Sequence, residues 1–182
     1  MQTEEARNRM REWLSKAPFD DPRALSAQPN FSYENWLATG RSLPASIETL
    51  IEWLEQEDLA HPSGNGMRVA YALGWIGDKR KRGVDALLRS LGSGEVTLRI
   101  EAAAALGFQG DASTLPVLER LLANTHEDAN VRANACIAIG RLGLPGSVTV
   151  LKQTLHDQDP FLVRCAEQAL RLCSGGGSVP TR

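Results

Sequence analysis

The 182-residue chain carries 20 basic and 22 acidic residues, which leaves a formal net charge of −2. Its 42% hydrophobic and 23% charged residues are typical of a globular protein long enough for one compact domain. The near balance of charge argues against a general affinity for nucleic acid or anionic membranes. No apolar run approaches the roughly 20 residues of a membrane helix. The acidic first residues lack the apolar core of a signal peptide, so we expect a cytoplasmic protein.

Residues 1–43 predict an N-terminal helical cap rather than a repeat. Met10, Trp13 and Leu14 fall on one side of an amphipathic helix. A polar linker leads from it to a second, short helix. Because a solenoid exposes an apolar end unless its terminal repeat is covered, we assign this region as the covering element.

Residues 44–173 predict four antiparallel helix pairs. The first helices carry apolar side chains at the i, i+3 and i+7 spacing of one helical face, and polar breaks separate them from the second helices. The predicted helices are 46–59 with 67–77, 84–91 with 96–108, 114–122 with 130–142, and 147–155 with 160–172. The remaining residues, 174–182, are rich in glycine and predict a flexible tail.

Two sets of glycines recur every 33 residues in the second helices. The sets are Gly74, Gly107 and Gly140, and Gly77, Gly110 and Gly143. A constant interval of this length is the signature of a solenoid. Gly143 falls where a left-handed C-cap would end its helix. The run Ala102–Ala105 leaves room for close helix approach and keeps high helix propensity.

A resemblance to HEAT repeats, especially the short bacterial type found in phycobilisome lyase subunits, is carried by EVTLRIEAAAALGFQGD, DANVRANACIAIGRLG and DPFLVRCAEQALRLC. It covers about residues 46–173. The resemblance implies an all-α, right-handed α-α superhelix of about four helix pairs beneath the N-terminal cap. It is specific for fold and says little about activity.

Each of these three segments starts with an acid and places an arginine a few residues later. The residues are Glu95 with Arg99, Asp128 with Arg132, and Asp159 with Arg164. In HEAT repeats such an acid and arginine typically bond between neighbouring turns. We therefore interpret the set as a structural acid-arginine ladder, with a row of anion-binding arginines as the alternative.

The residues that carry catalysis or bind metals are sparse. Iron-dependent hydroxylases built on HEAT repeats carry paired His-Glu dipeptides, whereas this chain has only His126-Glu127. One histidine and one carboxylate are too few ligands for a catalytic metal. The three cysteines, Cys136, Cys165 and Cys173, are expected to be reduced thiols, the first two in apolar helical patterns. We predict no metal and no cofactor, and the sequence favours a protein that is not an enzyme.

A basic run, Lys79, Arg80, Lys81 and Arg82, lies between the first and second pairs. Four bases in one turn can grip phosphate or an acidic partner. The simpler interpretation is a solvated loop, since the rest of the chain offers no extended basic face.

The aromatic residues favour a binding function. Trp75 and Phe108 directly follow a repeat glycine, at the position where the next repeat has Arg141. Aromatics and arginine are the residues enriched in interface hot spots. The predicted partner-binding residues, on the concave face formed by the second helices, are Arg68, Tyr71, Trp75, Glu101, Phe108, Asn134 and Arg141.

The sequence therefore predicts a non-catalytic module that binds another protein, as an adaptor, a scaffold or a neutralising partner of the immunity type. The resemblance leaves open a chromophore lyase subunit similar to the phycobilin lyases. A third reading is nucleic-acid binding through Lys79–Arg82.

Overall fold

The computed structural model describes residues 4–16, 33–43, 46–61, 64–77 and 81–174. Within these ranges the chain forms ten α-helices and no strand. The helices are α1 Glu4–Ser15, α2 Tyr33–Ser42, α3 Ser46–Gln56, α4 Asn65–Ile76, α5 Lys81–Ser90, α6 Val96–Gln109, α7 Leu115–Ala123, α8 Ala129–Leu142, α9 Pro145–Thr154 and α10 Pro160–Ser174. The predicted all-α class is confirmed. The predicted tail beyond residue 174 lies outside the described residues.

The helices from α3 to α10 form the four predicted pairs. Each pair consists of two helices joined by a short loop, and the second helices α4, α6, α8 and α10 lie side by side in chain order. One continuous core runs through the stack, with fully buried side chains such as Leu73, Leu106 and Ile139 in successive second helices. Several boundaries differ from the sequence prediction by two or three residues: α3 ends at Gln56, α4 begins at Asn65, α5 at Lys81 and α9 at Pro145, and α10 ends at Ser174.

Glycines in the left-handed conformation end three of the second helices. Gly77, Gly110 and Gly143 have φ angles of 79°, 69° and 59°. Each donates its backbone N–H to a carbonyl in the last turn of its helix. The C-cap predicted at Gly143 is confirmed, and the same geometry explains why this set of glycines repeats.

The other set of repeating glycines brings neighbouring second helices into close contact. A Cβ atom built on Gly107 would lie 2.6 Å from the Cα atom of Ala138, and one on Gly140 would lie 2.7 Å from that of Ala169. Gly74 faces Ala105 in the same way, at 2.8 Å. Real side chains do not approach a backbone so closely, so only glycine permits this helix spacing.

Arg99 links the second pair to the third, and Arg132 links the third pair to the fourth. The Arg99 guanidinium donates to the Ser93 carbonyl in its own pair and to Glu127 in the following pair, with Nη2–Oε1 at 2.8 Å. Arg132 donates to the Leu122 carbonyl at 2.8 Å and to Asp157 at 2.7 Å. The acids that these arginines bind therefore come from the next inter-helix loop.

The predicted partners within the ladder need correction. Glu95 accepts a hydrogen bond from the Thr97 hydroxyl, and Asp128 caps α8 by accepting from the backbone N–H of Asn130. Asp159 accepts from the N–H of Phe161 in the first turn of α10. An acid directly before a helix is well placed for these exposed N–H groups, so Asp128 and Asp159 serve as caps, whereas Glu95 binds only a side-chain hydroxyl of the first turn.

Arg164 does not continue the ladder. Arg132 donates its backbone N–H to the Asp128 carbonyl, and in the last pair the equivalent bond runs from Val163 to Asp159. Val163 thus occupies the ladder position, and Arg164, one residue further on, is turned about 100° around the helix axis. Its side chain is exposed and forms no ion pair among the residues that the structure describes.

Two tryptophans join the helices α1 and α2, which lie beside the first pair. The rings of Trp13 and Trp36 stack with centroids 4.2 Å apart. Each indole N–H donates to the backbone carbonyl of the other tryptophan, at 2.7 and 3.0 Å. Arg7 of α1 forms an ion pair with Glu52 of α3 at 2.9 Å.

At the other end of the described chain, the exposed side of α10 is largely polar. Its polar residues are Arg164, Glu167, Gln168 and Arg171.

Replacing Gly107 with alanine should destabilise the protein. The new methyl group would meet the backbone of Ala138, and overpacking of this kind typically costs about 1–3 kcal/mol. Gly146→Ala is the matched control, since its Cβ would lie 3.8 Å from the nearest atom, in ordinary contact. Urea unfolding followed by circular dichroism measures both variants. Equal stability of the two would contradict the proposed packing.

Replacing Arg132 with alanine should lower the free energy of unfolding by about 2–3 kcal/mol, because Asp157 and the Leu122 carbonyl would lose a charged donor. Arg164→Ala should change stability by less than about 0.5 kcal/mol, as exposed substitutions generally do. Thermal melts of both proteins give the comparison. If Arg164→Ala were the more damaging change, the assignment of the ladder would be wrong.

Candidate functional site

The accessible residues of the second helices share one face. Between Ile100 and Gln109 of α6, the residues that are not buried are Ile100, Glu101, Ala104 and Phe108. Ala104 and Phe108 are four residues apart, and Ile100 and Glu101 precede Ala104 by four and three residues, so all four lie along one side of the helix. The rest of α6 packs against the other helices of the stack.

Equivalent stripes occur on the neighbouring second helices, and together they form a continuous surface that we call the second-helix face. It consists of Arg68, Tyr71 and Trp75 on α4, Glu101, Ala104 and Phe108 on α6, and Asn134, Ile137 and Arg141 on α8. All seven residues predicted to bind a partner lie on it. The 33-residue interval explains this, because equivalent helices present equivalent positions.

A row of contacts between side chains crosses this face. The ring of Trp75 lies 4.6 Å from that of Phe108, and the guanidinium carbon of Arg141 lies 3.9 Å from the Phe108 ring centroid. Trp75 also contacts Tyr71, at 5.9 Å, and Tyr71 contacts Trp36 of α2, at 6.1 Å. The aromatic residues thus connect the tryptophan pair of α1 and α2 to the middle of the stack.

Leu172 extends the same row and was missed by the sequence analysis. The capping bonds align Asp159 with Asp128, an offset of 31 residues that places Leu172 at the position of Arg141. It is 41% exposed, and Trp75 is 40% exposed. Aligning the last pair on its capping acid rather than on its arginine would have found this residue.

Arg141 in the row and Glu101, which lies on the same face, are both partly desolvated. Burial lowers the pKa of Arg141, and burial raises the pKa of Glu101 to about 7. Among the described residues, neither side chain has an ion-pair partner. Arg141 is stabilised by stacking on Phe108, a cation–π contact that leaves its N–H donors available.

The histidine and cysteine candidates do not form a reactive site. The Glu127 carboxylate binds Arg99, while His126 is exposed, so the two side chains do not act as a ligand pair. No cluster of three or more metal-binding side chains exists in the described part of the chain. Cys136 is buried, and burial raises the pKa of its thiol to about 12, which keeps it protonated and unreactive.

Two of the four residues of the predicted basic run lie at the start of a helix. Lys81 and Arg82 form the first turn of α5, whereas Lys79 and Arg80 lie outside the described residues. Arg82 binds Glu48 and Glu55 of α3, and Lys81 lies 3.4 Å from Asp85. Because carboxylates of the chain already neutralise these two cations, they contribute little to an anion site.

A groove of about 790 Å³ lies between α1 and the adjoining parts of α3 and α4. Its lining includes Arg7, Arg11, Trp53 and His61. The three basic side chains of this set each contact a carboxylate of the chain, namely Glu52 for Arg7, Glu4 for Arg11 and, at 3.4 Å, Asp58 for His61. The groove therefore offers no cluster of available charges comparable to the second-helix face. In the described ranges, no helix is both long and apolar enough to cross a membrane.

Glu101 should make stability depend on pH. Its folded-state pKa of about 7 lies above the ordinary value, so the native state binds more protons and stability falls as the pH rises from about 5 to 8. Glu101→Gln should remove most of this loss. Urea midpoints at the two pH values test it, with exposed Glu167→Gln as the control. An unchanged pH dependence in Glu101→Gln would contradict the burial of this carboxylate.

Comparison with known proteins places this architecture in a family. A model of HEAT repeats matches residues 84–171, which lie in the second, third and fourth helix pairs. The resemblance noted in the sequence is thereby confirmed.

Curated relatives share parts of the repeat region. Deoxyhypusine hydroxylase-B of Oryza sativa subsp. japonica is 34% identical over 99 residues, which cover 54% of this chain and 32% of that protein. Deoxyhypusine hydroxylase of Arabidopsis thaliana is 41% identical over 64 residues, covering 35% of this chain and 20% of that protein. The matched region thus spans a third or less of these relatives.

Two solved structures have similar folds. Human deoxyhypusine hydroxylase in complex with glycerol superposes with a TM-score of 0.60 at 25% identity, over 71% of this chain and 43% of that one. The complex of CpcE and CpcF of phycocyanin lyase from Nostoc sp. PCC7120 also gives 0.60, at 18% identity, over 88% and 67%. The latter likeness shows the fold alone. The stacked helix pairs, their repeating glycines and the match of the family model together identify HEAT repeats in residues 84–171 of this chain.

Proposed function

We propose that this chain is a non-catalytic module that binds another protein through its second-helix face, as an adaptor, a scaffold or a neutralising partner. The observation that carries the proposal is the row formed by Trp75, Phe108 and Arg141. Large aromatic side chains and arginine dominate binding energy in protein interfaces. Here they are already in mutual contact on an accessible surface.

The rigidity of the surface supports this function. The residues of the row stand on helices held together by the contacts of Gly74, Gly107 and Gly140 with the neighbouring alanines. A surface built on packed helices loses little conformational entropy when a partner docks. Broad preformed faces of this kind are what stacked helix pairs supply.

The hydroxylase activity in the names of the relatives is less well supported for this chain. Glu127, which forms the single His-Glu dipeptide, is engaged by Arg99. A chromophore lyase subunit remains the second function implied by the sequence resemblance, and the fold is compatible with it. No residue of the described chain favours that chemistry over protein binding.

The double substitution Trp75→Ala and Arg141→Ala should abolish capture of the native partner by the immobilised protein. It removes the exposed indole and the stacked cation, whose combined loss typically weakens an interface by more than tenfold, or above about 1.4 kcal/mol. Mass spectrometry of proteins retained from cells of the source organism gives the readout.

Arg120→Ala on α7 is the control, because Arg120 is an exposed arginine on a first helix, away from the row. Circular dichroism of all variants verifies that the fold is retained. A double variant that retains every protein captured by the unsubstituted chain would show that the second-helix face is not the binding surface.

A further inference from the structure

Arg141 is a partly desolvated cation on the second-helix face. Its guanidinium lies 3.9 Å from the centre of the Phe108 ring, and burial lowers its pKa. No carboxylate of the described residues forms an ion pair with it, in contrast to Arg99 and Arg132, which bind Glu127 and Asp157. A stacked guanidinium keeps its in-plane N–H donors available, and these match the geometry of a carboxylate.

Apolar side chains occupy the equivalent positions on the neighbouring second helices. Phe108 on α6 and Trp75 on α4 continue the row in one direction. Leu172 holds the equivalent position on α10. Trp75 and Leu172 belong to the few large hydrophobic residues that are exposed in the described chain. A ligand that neutralises Arg141 therefore meets apolar surface in both directions along the row.

The charges of the face favour a protein segment over a nucleic acid. Beside Arg68 and Arg141, the face carries the acid Glu101, and the net charge of the chain is −2. A nucleic acid brings one negative charge with every nucleotide and needs several cations along its path. A single available arginine between apolar groups suits one carboxylate flanked by apolar side chains.

We infer that the second-helix face binds a segment of a partner protein whose aspartate or glutamate pairs with Arg141 while apolar side chains cover Leu172 and the Trp75–Phe108 pair. This inference rests on the proposed function and specifies its ligand. Neighbouring helices are about 8–10 Å apart, and an extended chain advances about 3.3 Å per residue. Because alternate side chains of an extended segment point to the same side, its acid lies about two residues, or about 6.6 Å, from the apolar residue over Leu172, and the length of the two side chains spans the remainder.

The test uses a library of random 12-residue peptides displayed on phage and selected on the full-length protein. The enriched peptides should carry an acid about two residues from a large apolar residue. Synthetic versions should bind Arg141→Gln at least tenfold more weakly than the unsubstituted protein, as measured by fluorescence polarisation. They should bind the control variant Arg120→Gln equally well.

Two further measurements isolate the ion pair. Replacing the acid of the peptide with its amide should not further lower the affinity of the peptide for Arg141→Gln, because the two changes remove the same contact. A separate selection on Arg141→Glu should enrich lysine or arginine in place of the acid. Circular dichroism of each variant verifies that the fold is intact.

The outcomes separate this inference from the proposed function. Peptides that lose affinity for Trp75→Ala but bind Arg141→Gln normally would overturn the acidic ligand and still support the binding face. Selection that enriches no peptide, or peptides insensitive to both substitutions, would contradict both proposals. A labelled 12-nucleotide single strand that binds more tightly than the peptides, and depends on Arg141, would overturn the choice of a protein ligand.

Discussion

The close contact between a glycine of one second helix and an alanine of the next is the constraint on which this structure depends. It recurs at Gly74, Gly107 and Gly140, where any Cβ atom would lie within 3 Å of a neighbouring backbone. Close approach of this kind maximises packing between helices that carry few large side chains. The hydrogen bonds of the arginines make the stacking of the pairs specific, because each guanidinium reaches one particular loop of the next pair.

The same contact also brings the side chains of the second-helix face together. Trp75, Phe108 and Arg141 each directly follow a contact glycine, so their side chains lie beside the points where the helices come closest. This is why two rings and a guanidinium from three different helices touch one another. The structural repeat thus assembles this row from residues that are 33 positions apart in the chain.

Charge distinguishes the structural arginines from the functional candidate. Arg99 and Arg132 are buried or half-buried and are satisfied by carbonyls and carboxylates of the chain. Arg141 has an aromatic ring beneath it and lacks a counter-ion among the described residues. A desolvated charge with open hydrogen-bonding capacity favours a ligand that supplies the opposite charge. The histidines and cysteines of the described chain form no comparable arrangement.

The sequence alone determined the helix pairs, the glycine caps and the face on which the candidate residues lie, because these follow from local spacing and a constant period. It could not determine which acid binds each arginine, since Glu127 and Asp157 lie 28 and 25 residues from their partners. The register of the last pair was ambiguous in the sequence, because aligning its arginine and aligning its capping acid give different answers. A shift of one residue moves a side chain by about 100° around a helix, so the two alignments differ in whether Arg164 belongs to the ladder and in which residue corresponds to Arg141. The backbone hydrogen bonds of the folded helix decide for the capping acid, which takes Arg164 out of the ladder and puts Leu172 at the position of Arg141.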